Sequence, residues 1–402
     1  MAPLSEIALN PAMADRIQAD WLVSAETKRV VDALGVARPG GSRFVGGCVR
    51  NSLMGRAVDD IDIATQLTPD QVILALDERG IRAIPTGIDH GTITAVVDHV
   101  PFEITTLRRD VETDGRRAVI AYTEDWFEDA QRRDFRLNAL YAEPDGTIHD
   151  PTGGGLADAA TGKVIFIGNA DERLREDYLR ILRFFRFNAW YGAGLDKDGL
   201  NACQRQKDGL KQIAAERIWK ELEKLLRAPA PFEAITAMEK AGVLNAILPQ
   251  ATVSQSLERV QSRTSDSMVR LMALLPKDIE IAGSVAAQLK LSNQEAGRLS
   301  AWASGAFGEA SDNRRLRSDS YVFGKRAVLD WLIVSCGDDV FQPAYTLLEN
   351  WTVPKLPVRG QDLLELGISG PLIGDQLRAM EQLWIDSDFL MGRDELLNSL
   401  ER

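Results

Sequence analysis

Two aspartates stand one residue apart in Asp60-Ile61-Asp62-Ile63-Ala64, where polar and apolar residues alternate as in a strand. Residues two apart on a strand point to one face, so both carboxylates can share divalent ions. In phosphoryl transfer, ions held about 3.5–4 Å apart by such hard oxygen ligands activate an attacking hydroxyl and stabilise the leaving oxygen. Glu103, in Phe102-Glu103-Ile104-Thr105-Thr106, is the candidate third carboxylate. It is an acidic residue within an otherwise apolar strand, where an unpaired carboxylate would be costly. Asp60, Asp62 and Glu103 are therefore the candidate catalytic residues, with Asp60 and Asp62 as metal ligands. An isolated Asp-x-Asp is usually a surface feature, and this one gains meaning from what flanks it.

Upstream lies Gly46-Gly47-Cys48-Val49-Arg50, after an apolar strand and at the start of a helix. Paired glycines let backbone N–H groups approach a phosphate without a Cβ in the way, and the helix N-terminus adds its positive end. Arg50, a turn on, could reach the same anion; a tight strand-to-helix turn explains the glycines equally well. In Arg132-Arg133-Asp134-Phe135-Arg136-Leu137-Asn138-Ala139, cations, an anion and an amide surround apolar residues at helical spacing. Arg133 could grip a phosphate in fork geometry, while Asp134 and Asn138, one turn apart, suit ribose hydroxyls. Mutual pairing of those charges is the competing explanation.

The segment from Glu176 to Phe187 reads as one helix in which Asp177, Arg180, Arg183 and Arg186 step by three into a polar stripe. Leu179, Ile181, Leu182, Phe184, Phe185 and Phe187 fill much of the remaining circumference, so most of this helix must be buried. Arginines amid that much apolar surface line a cleft or form an internal ion-pair network. An Asp beside an Arg offers both acceptor and donor to the Watson–Crick edge of a base, which permits nucleotide selection without a template strand.

The elements that must position these residues follow from the same periodicities. A helix is expected over residues 14–34, ended by Gly35, followed by the strand Arg43-Phe44-Val45 and a helix from Val49 to Met54. Further strands are expected at Thr92–Val97, Phe102–Thr106 and Ala118–Tyr122, giving a small mixed sheet flanked by helices, an α/β (α+β) arrangement over residues 1–150. Past Asp150-Pro151-Thr152-Gly153-Gly154-Gly155 the pattern turns helical, with breaks at Ala228-Pro229-Ala230-Pro231, Pro249-Gln250, Pro276-Lys277 and Val353–Pro357.

A chain of 402 residues has room for two to four domains, and 45% hydrophobic with 26% charged residues is an ordinary globular balance. With no apolar run near the ~20 residues of a membrane span, and no basic-then-apolar start, a cytoplasmic location is expected. Cys48, Cys203 and Cys336 are too few and too far apart for a disulfide framework or CxxC metal site. A net charge of -12 argues against coating nucleic acid through bulk electrostatics, so RNA contact must be local, at clusters such as Arg116-Arg117, Arg132-Arg133 and Arg173 to Arg186. His90, His99 and His149 all lie in the N-terminal part. That excludes a histidine-aspartate phosphohydrolase module further on and leaves zinc without partners. His149 reads as a turn residue.

Over roughly residues 40–230 the chain resembles the class II tRNA nucleotidyltransferase and bacterial poly(A) polymerase family. Gly46-Gly47-x-Val49-Arg50 with Gly55-Arg56 and Asp60-x-Asp62 looks like its catalytic motif, and Asp114-Gly115-Arg116-Arg117 like its flexible-loop motif. Arg132-Arg133-Asp134-Phe135-x-x-Asn138-Ala139 looks like the sugar-recognising motif, and Glu176-Asp177-x-x-Arg180 like the amino-acid template for the incoming base. Glu216-Arg217-Ile218-x-x-Glu221-x-x-Lys224-Leu225-Leu226 is similar to a helix that braces the neck, and Gln361 through Gly374 to a C-terminal segment that holds the tRNA body.

The resemblance implies Mg2+ at Asp60 and Asp62 in a two-metal mechanism assisted by Glu103. It also implies nucleotide contacts from Gly46, Gly47, Arg50, Arg133, Asp134 and Asn138, and base selection by Asp177 and Arg180 in a pocket lined by Arg183 and Arg186. The implied fold is a head at 1–150, then a helical neck at 151–228, body at 229–300 and tail at 301–402. The expected activity is addition of CCA to the tRNA 3′ end from CTP and ATP, releasing pyrophosphate, with no membrane or protein partner. A poly(A) polymerase and a CC-only or A-only enzyme are the neighbouring alternatives, and the full-length segment from Thr105 to Arg132 disfavours the CC-only form. A non-catalytic RNA-binding relative would be expected to have lost a carboxylate that is present here. Asn51 and Arg136 depart from the family pattern, where Asp and Thr are usual, and so leave the geometry around them open.

Overall fold

The computed structural model describes residues 16–114 and 117–400; Gly115 and Arg116 of the loop motif lie outside the described residues. In place of one first helix there are two, α1 (Asp20–Val23) and α2 (Ala25–Ala37). They are broken at Ser24, whose side chain caps α2 by accepting from the Thr27 N–H. Gly35 does not end the helix: α2 runs through it to Ala37. A single glycine weakens a helix by only ~1 kcal/mol, which the burial of Val30, Ala33 and Leu34 outweighs.

Then come β1 (Ser42–Val45), α3 (Gly47–Leu53), β2 (Ile61–Thr65), α4 (Pro69–Asp77), β3 (Arg82–Gly87), β4 (Thr92–Val97) and β5 (Val100–Thr106). A separate hairpin, β6 (Arg108–Asp114) with β7 (Arg117–Tyr122), precedes α5 (Trp126–Gln131), and β8 (Tyr141–Ala142) and β9 (Ile148–His149) follow. The main sheet has seven strands in the order β3-β4-β5-β2-β1-β8-β9. β2 and β5 run parallel while the other neighbours are antiparallel, so the expected mixed sheet is present. β3, β6, β8 and β9 were not anticipated, the last two being too short for any periodicity; β9 also moves His149 from a turn to a strand.

Alternation along the strands sends side chains into two layers. Phe44, Ile63, Ile93, Phe102 and Ile104 bury against Val30, Leu34, Val72 and Leu76 of α2 and α4. Val45, Ala64 and Tyr141 pack on the other side with Ala130, Ala139 and Ile167. Asp62, between Ile61 and Ile63, shares the second face with Ala64.

Beyond the sheet come α6 (Gly155–Thr161), α7 (Ala170–Glu176), α8 (Leu179–Tyr191), α9 (Lys197–Gln206), α10 (Ala215–Leu226), α11 (Pro231–Lys240) and α12 (Val243–Ile247). The apolar side chains of α8 are buried as expected, and α10 and α11 pack on it. The chain divides between Ile247 and Leu248 into two compact units, with α11 and α12 in the first. The regular elements of the second unit are helices, from Gln255–Arg263 to Arg393–Asn398. Their cores form around Leu316, Val328, Leu332 and Leu348, and around Val358, Leu363, Met380 and Trp384. No described helix is long and apolar enough to cross a membrane.

Candidate active site

The turn between β1 and α3 brings the site together. Gly46 precedes α3 with φ of 72°, a left-handed conformation that favours glycine. A Cβ there would lie 3.7 Å from Arg133 Nη1, 3.8 Å from the Asn138 carbonyl oxygen and 4.0 Å from Asp62 Oδ2, so three candidate groups meet at this residue. The Gly46 N–H is committed to the Leu140 carbonyl at 3.2 Å, so what Gly46 contributes here is its backbone conformation.

Around that turn opens a cleft of about 420 Å³. Of the expected residues, Gly46, Gly47, Arg50, Asp62, Arg133, Asp134, Asn138, Asp177, Arg180 and Arg183 line it; Asp60, Glu103 and Arg186 do not. Arg132, Leu179, Phe187 and Arg217 complete the wall.

Asp62 is register partner of Glu103 across the parallel pair β2 and β5. Burial pushes the Asp62 carboxyl up to about 6, the Glu103 and Asp60 charges add to this, and Arg133 and Arg50 oppose it. Asp60 is exposed just before the first residue of β2. Glu103 is exposed too, on the open face opposite Phe102 and Ile104, so the cost of burial is not what marks it; its place beside Asp62 is. Among the described residues no three acidic, histidine or cysteine side chains converge as a metal cage, and Glu103 does not complete one. Mg2+ needs less, since one or two carboxylates with substrate phosphates and water suffice. Burial first, and then the Glu103 and Asp60 charges, make an ionised Asp62 costly, and a divalent cation would offset that cost, so the donor set fits that ion.

Two arginines face this carboxylate from fixed positions. Arg50 donates to Asn138 Oδ1, to Asn51 Oδ1 at 2.9 Å and to the Tyr191 hydroxyl at 2.8 Å, with its guanidinium 4.1 Å from the Tyr191 ring centre. Arg133 is held by Asp129 Oδ2 at 3.1 Å and lies 3.3 Å from the Tyr141 hydroxyl. Burial pushes the Asp129 carboxyl up, but Arg133, Arg132 and the Tyr141 hydroxyl outweigh it and hold it well below the usual carboxylate range.

Arg132 to Asn138 is not the continuous helix its spacing suggested. α5 ends at Gln131, Phe135 bridges Phe166, and Arg136–Asn138 form a single 3-10 turn, whose period of three mimics helical spacing over so short a run. Asp134 and Asn138 nevertheless meet, with Asn138 Nδ2 donating to Asp134 Oδ1 at 2.9 Å. Arg183 donates to Asp134 Oδ2 at 2.7 Å. Burial pushes the Asp134 carboxyl up, yet Arg183 and Asn138 prevail and hold it at about 2. Asp134 thus fixes Arg183 and Asn138 at the wall of the cleft.

The expected helix through Asp177 is also broken. Asp177 is extended, with φ of -152°, between α7 and α8; Oδ1 accepts the Leu179 N–H at 3.1 Å and Oδ2 accepts Arg217 Nη2 at 2.8 Å. Arg180 pairs with Glu176 and donates to the Arg173 carbonyl at 2.7 Å. Arg186 turns from the cleft to Glu221 at 2.6 Å, its guanidinium 4.3 Å from the Phe187 ring centre, and this pairing places it outside the lining expected of it.

The two departures from the family pattern have structural roles. Asn51 accepts from Arg50 while its own amide donates to the Ala57 carbonyl at 2.7 Å. Arg136 pairs with Asp158 at 2.7 and 2.8 Å, away from the cleft. Sequence reading gave no site role to Arg217, Tyr191 or Asp129. Asp129 could have been suspected from its four-residue spacing to Arg133, whereas Tyr191 and Arg217 reach the site only through long-range folding. All three cysteines are free and buried.

Comparison with known proteins places the chain in a family and a fold. The family model described as "Poly A polymerase head domain" matches residues 42–165, and "Probable RNA and SrmB- binding site of polymerase A" matches residues 194–254. The mitochondrial CCA tRNA nucleotidyltransferase 1 of Homo sapiens is 35% identical over 384 residues, covering 90% of this chain and 86% of that protein. The CCA-adding enzyme of Staphylococcus haemolyticus is 29% identical over 378 residues, 88% and 92% of the two chains. Among solved structures, the Bacillus stearothermophilus CCA-adding enzyme in complex with CTP matches with a TM-score of 0.74 at 24% identity, covering 91% of this chain and 94% of that one. The Thermotoga maritima CCA-adding enzyme complexed with tRNA matches with a TM-score of 0.68 at 19% identity, over 98% and 97%. At these identities the structural matches speak for the fold.

Proposed function

As the chain belongs to the CCA-adding tRNA nucleotidyltransferase family, we propose that this cleft completes tRNA 3′ ends, adding C, C and A from CTP and ATP and releasing pyrophosphate. One observation supports the reading above others: a single cleft unites Asp62, the Gly47 backbone and two arginines with Asp177 and Arg180. Phosphate chemistry and base reading thus share one enclosure.

Asp62, with Asp60 beside it, would hold Mg2+, and Glu103 would strengthen the field that draws the ion in. Bound there, the ion lowers the cost of ionising the attacking 3′-hydroxyl and neutralises charge on the triphosphate. Gly47, Arg50 and Arg133 bind and orient the phosphates, and Asn138, oriented by Asp134, faces the sugar. Cytosine and adenine each present an exocyclic amino donor beside a ring nitrogen acceptor, whereas uracil and guanine present a carbonyl at the amino position. An aspartate acceptor beside an arginine donor matches the first pair. No covalent enzyme intermediate is needed.

On this reading residues 1–150 are the catalytic head, 151–228 the base-recognising neck, and 229–300 and 301–402 the body and tail that hold tRNA, in the cytoplasm. Purified protein supplied with Mg2+, tRNA lacking its 3′ CCA, CTP and ATP should extend the tRNA by three nucleotides only when both triphosphates are present. A long tail made from ATP alone would overturn the reading in favour of a poly(A) polymerase.

A further inference from the structure

An aspartate's terminal torsion is broad, so a carboxylate held at one oxygen can still swing. Asp177 is held at both. The Leu179 N–H, at the start of α8, fixes Oδ1, and Arg217 Nη2 reaches across from α10 to fix Oδ2 at 2.8 Å, spanning 40 residues of sequence. Each carboxylate oxygen has two lone pairs, so Oδ2 can accept from Arg217 and still accept from a base. One turn along α10, Glu221 accepts from Arg186 at 2.6 Å and lies 3.9 Å from Arg183. α10 therefore grips the reading segment at two points with opposite charges.

We propose that Arg217 is a specificity-determining positioning residue, locking the plane of the Asp177 carboxylate. The proposal rests on the reading that Asp177 accepts the exocyclic amino group of the incoming base. A locked carboxylate cannot rotate away from a carbonyl, so uracil O4 or guanine O6 meets an acceptor it cannot escape. A free carboxylate turns aside and tolerates them. Arg217 thereby converts a hydrogen-bond acceptor into a discriminator.

The test is single-turnover kcat/KM for CTP against UTP on tRNA lacking CCA, and for ATP against GTP on tRNA ending in CC. Arg217→Ala, Arg217→Lys, Asp177→Ala and the double alanine variant are compared with the unaltered protein. Arg217→Ala should lower both ratios about tenfold or more, the scale of one hydrogen bond to a charged group, and Arg217→Lys should restore part of the loss. The double variant should discriminate no worse than Asp177→Ala, because Arg217 acts through Asp177. Equal losses for right and wrong bases in Arg217→Ala, with relaxed choice in Asp177→Ala, would overturn the inference and leave the base-reading assignment standing. A further loss of discrimination in the double variant would also overturn it. Unchanged ratios in Asp177→Ala would overturn the base-reading assignment and this inference with it.

Discussion

Arg183 on α8 and Asp134, in the segment after α5, are joined by a 2.7 Å hydrogen bond across 49 residues of sequence. The side chain of Asp134 is only 8% exposed, so its charge depends on this partner and on Asn138. Asp134→Ala should cost about 3 kcal/mol of stability, near the low end for breaking a buried pair because Arg183 retains some solvent. It should also raise KM for CTP and ATP together, since Arg183 loses its partner and the Asn138 side chain is left held by Arg50. Denaturant unfolding and steady-state kinetics check the two effects.

Asp62→Ala should abolish transfer while leaving CTP binding within severalfold. A lost metal ligand removes several kcal/mol of transition-state charge stabilisation, roughly 10³-fold in rate, while the arginines that hold the phosphates remain. Residual nucleotide incorporation near the unaltered rate would refute the metal assignment.

The site has two opposite pH signatures. With its carboxyl at about 6, Asp62 binds a proton in the folded protein before it does so unfolded. In the absence of metal its contribution to stability therefore grows as pH falls from 7 toward 4. The same proton competes with Mg2+, so the rise in Tm produced by added Mg2+ should shrink as pH drops through 6. Asp134, held at about 2, contributes stability that is complete above its unfolded value near 4 and is lost as pH falls to 2. Tm against pH, with and without Mg2+, reads both, and a Mg2+ shift constant from pH 7.5 to 5 would contradict the first.

Tyr191→Phe removes the 2.8 Å hydrogen bond to Arg50 but keeps the ring beneath the guanidinium. The expected result is about a tenfold rise in KM for both nucleotides with kcat little changed, as a hydrogen bond to a charged group contributes ~1.5 kcal/mol. Tyr191→Ala should go further in the same direction, because the cation–π contact is lost as well.

Arg136→Thr, which restores the residue usual in the family, should leave nucleotide choice unchanged and lower stability by about 1–3 kcal/mol. It strands Asp158, whose side chain is 4% exposed, without its guanidinium partner. A change in the CTP to UTP ratio would contradict the placement of Arg136 outside the site.

Those residues also show what the sequence could reveal. Asp62 and the Gly46-Gly47 turn were legible because strand alternation and positive-φ glycine are local properties. The break at Asp177 was not, since apolar spacing continues smoothly across it and only the extended backbone of one residue interrupts the helix. The expected cost of burying Glu103 does not apply: its apolar neighbours suggest burial, whereas one face of that strand is open. Arg186 was assigned to the cleft because a period of three places it in line with Arg183; its partner Glu221 lies 35 residues on, beyond any periodic signal. Arg217 and Tyr191 were hidden by the same distance.

The parallel pairing of β2 with β5 has a consequence for how the site comes into being. Asp62 and Glu103 become neighbours only when two strands 41 positions apart in register close on each other, with α4, β3 and β4 in between. Closure entropy grows only with the logarithm of loop length, so insertions in that interval should be well tolerated. If β5 slipped by one residue against β2, Ile104 would turn outward and Glu103 would point to the opposite face from Asp62, a far costlier error. The hydrophobic core thus proofreads the alignment of the two carboxylates, and a nascent chain that has not yet emerged beyond β5 cannot bring them together.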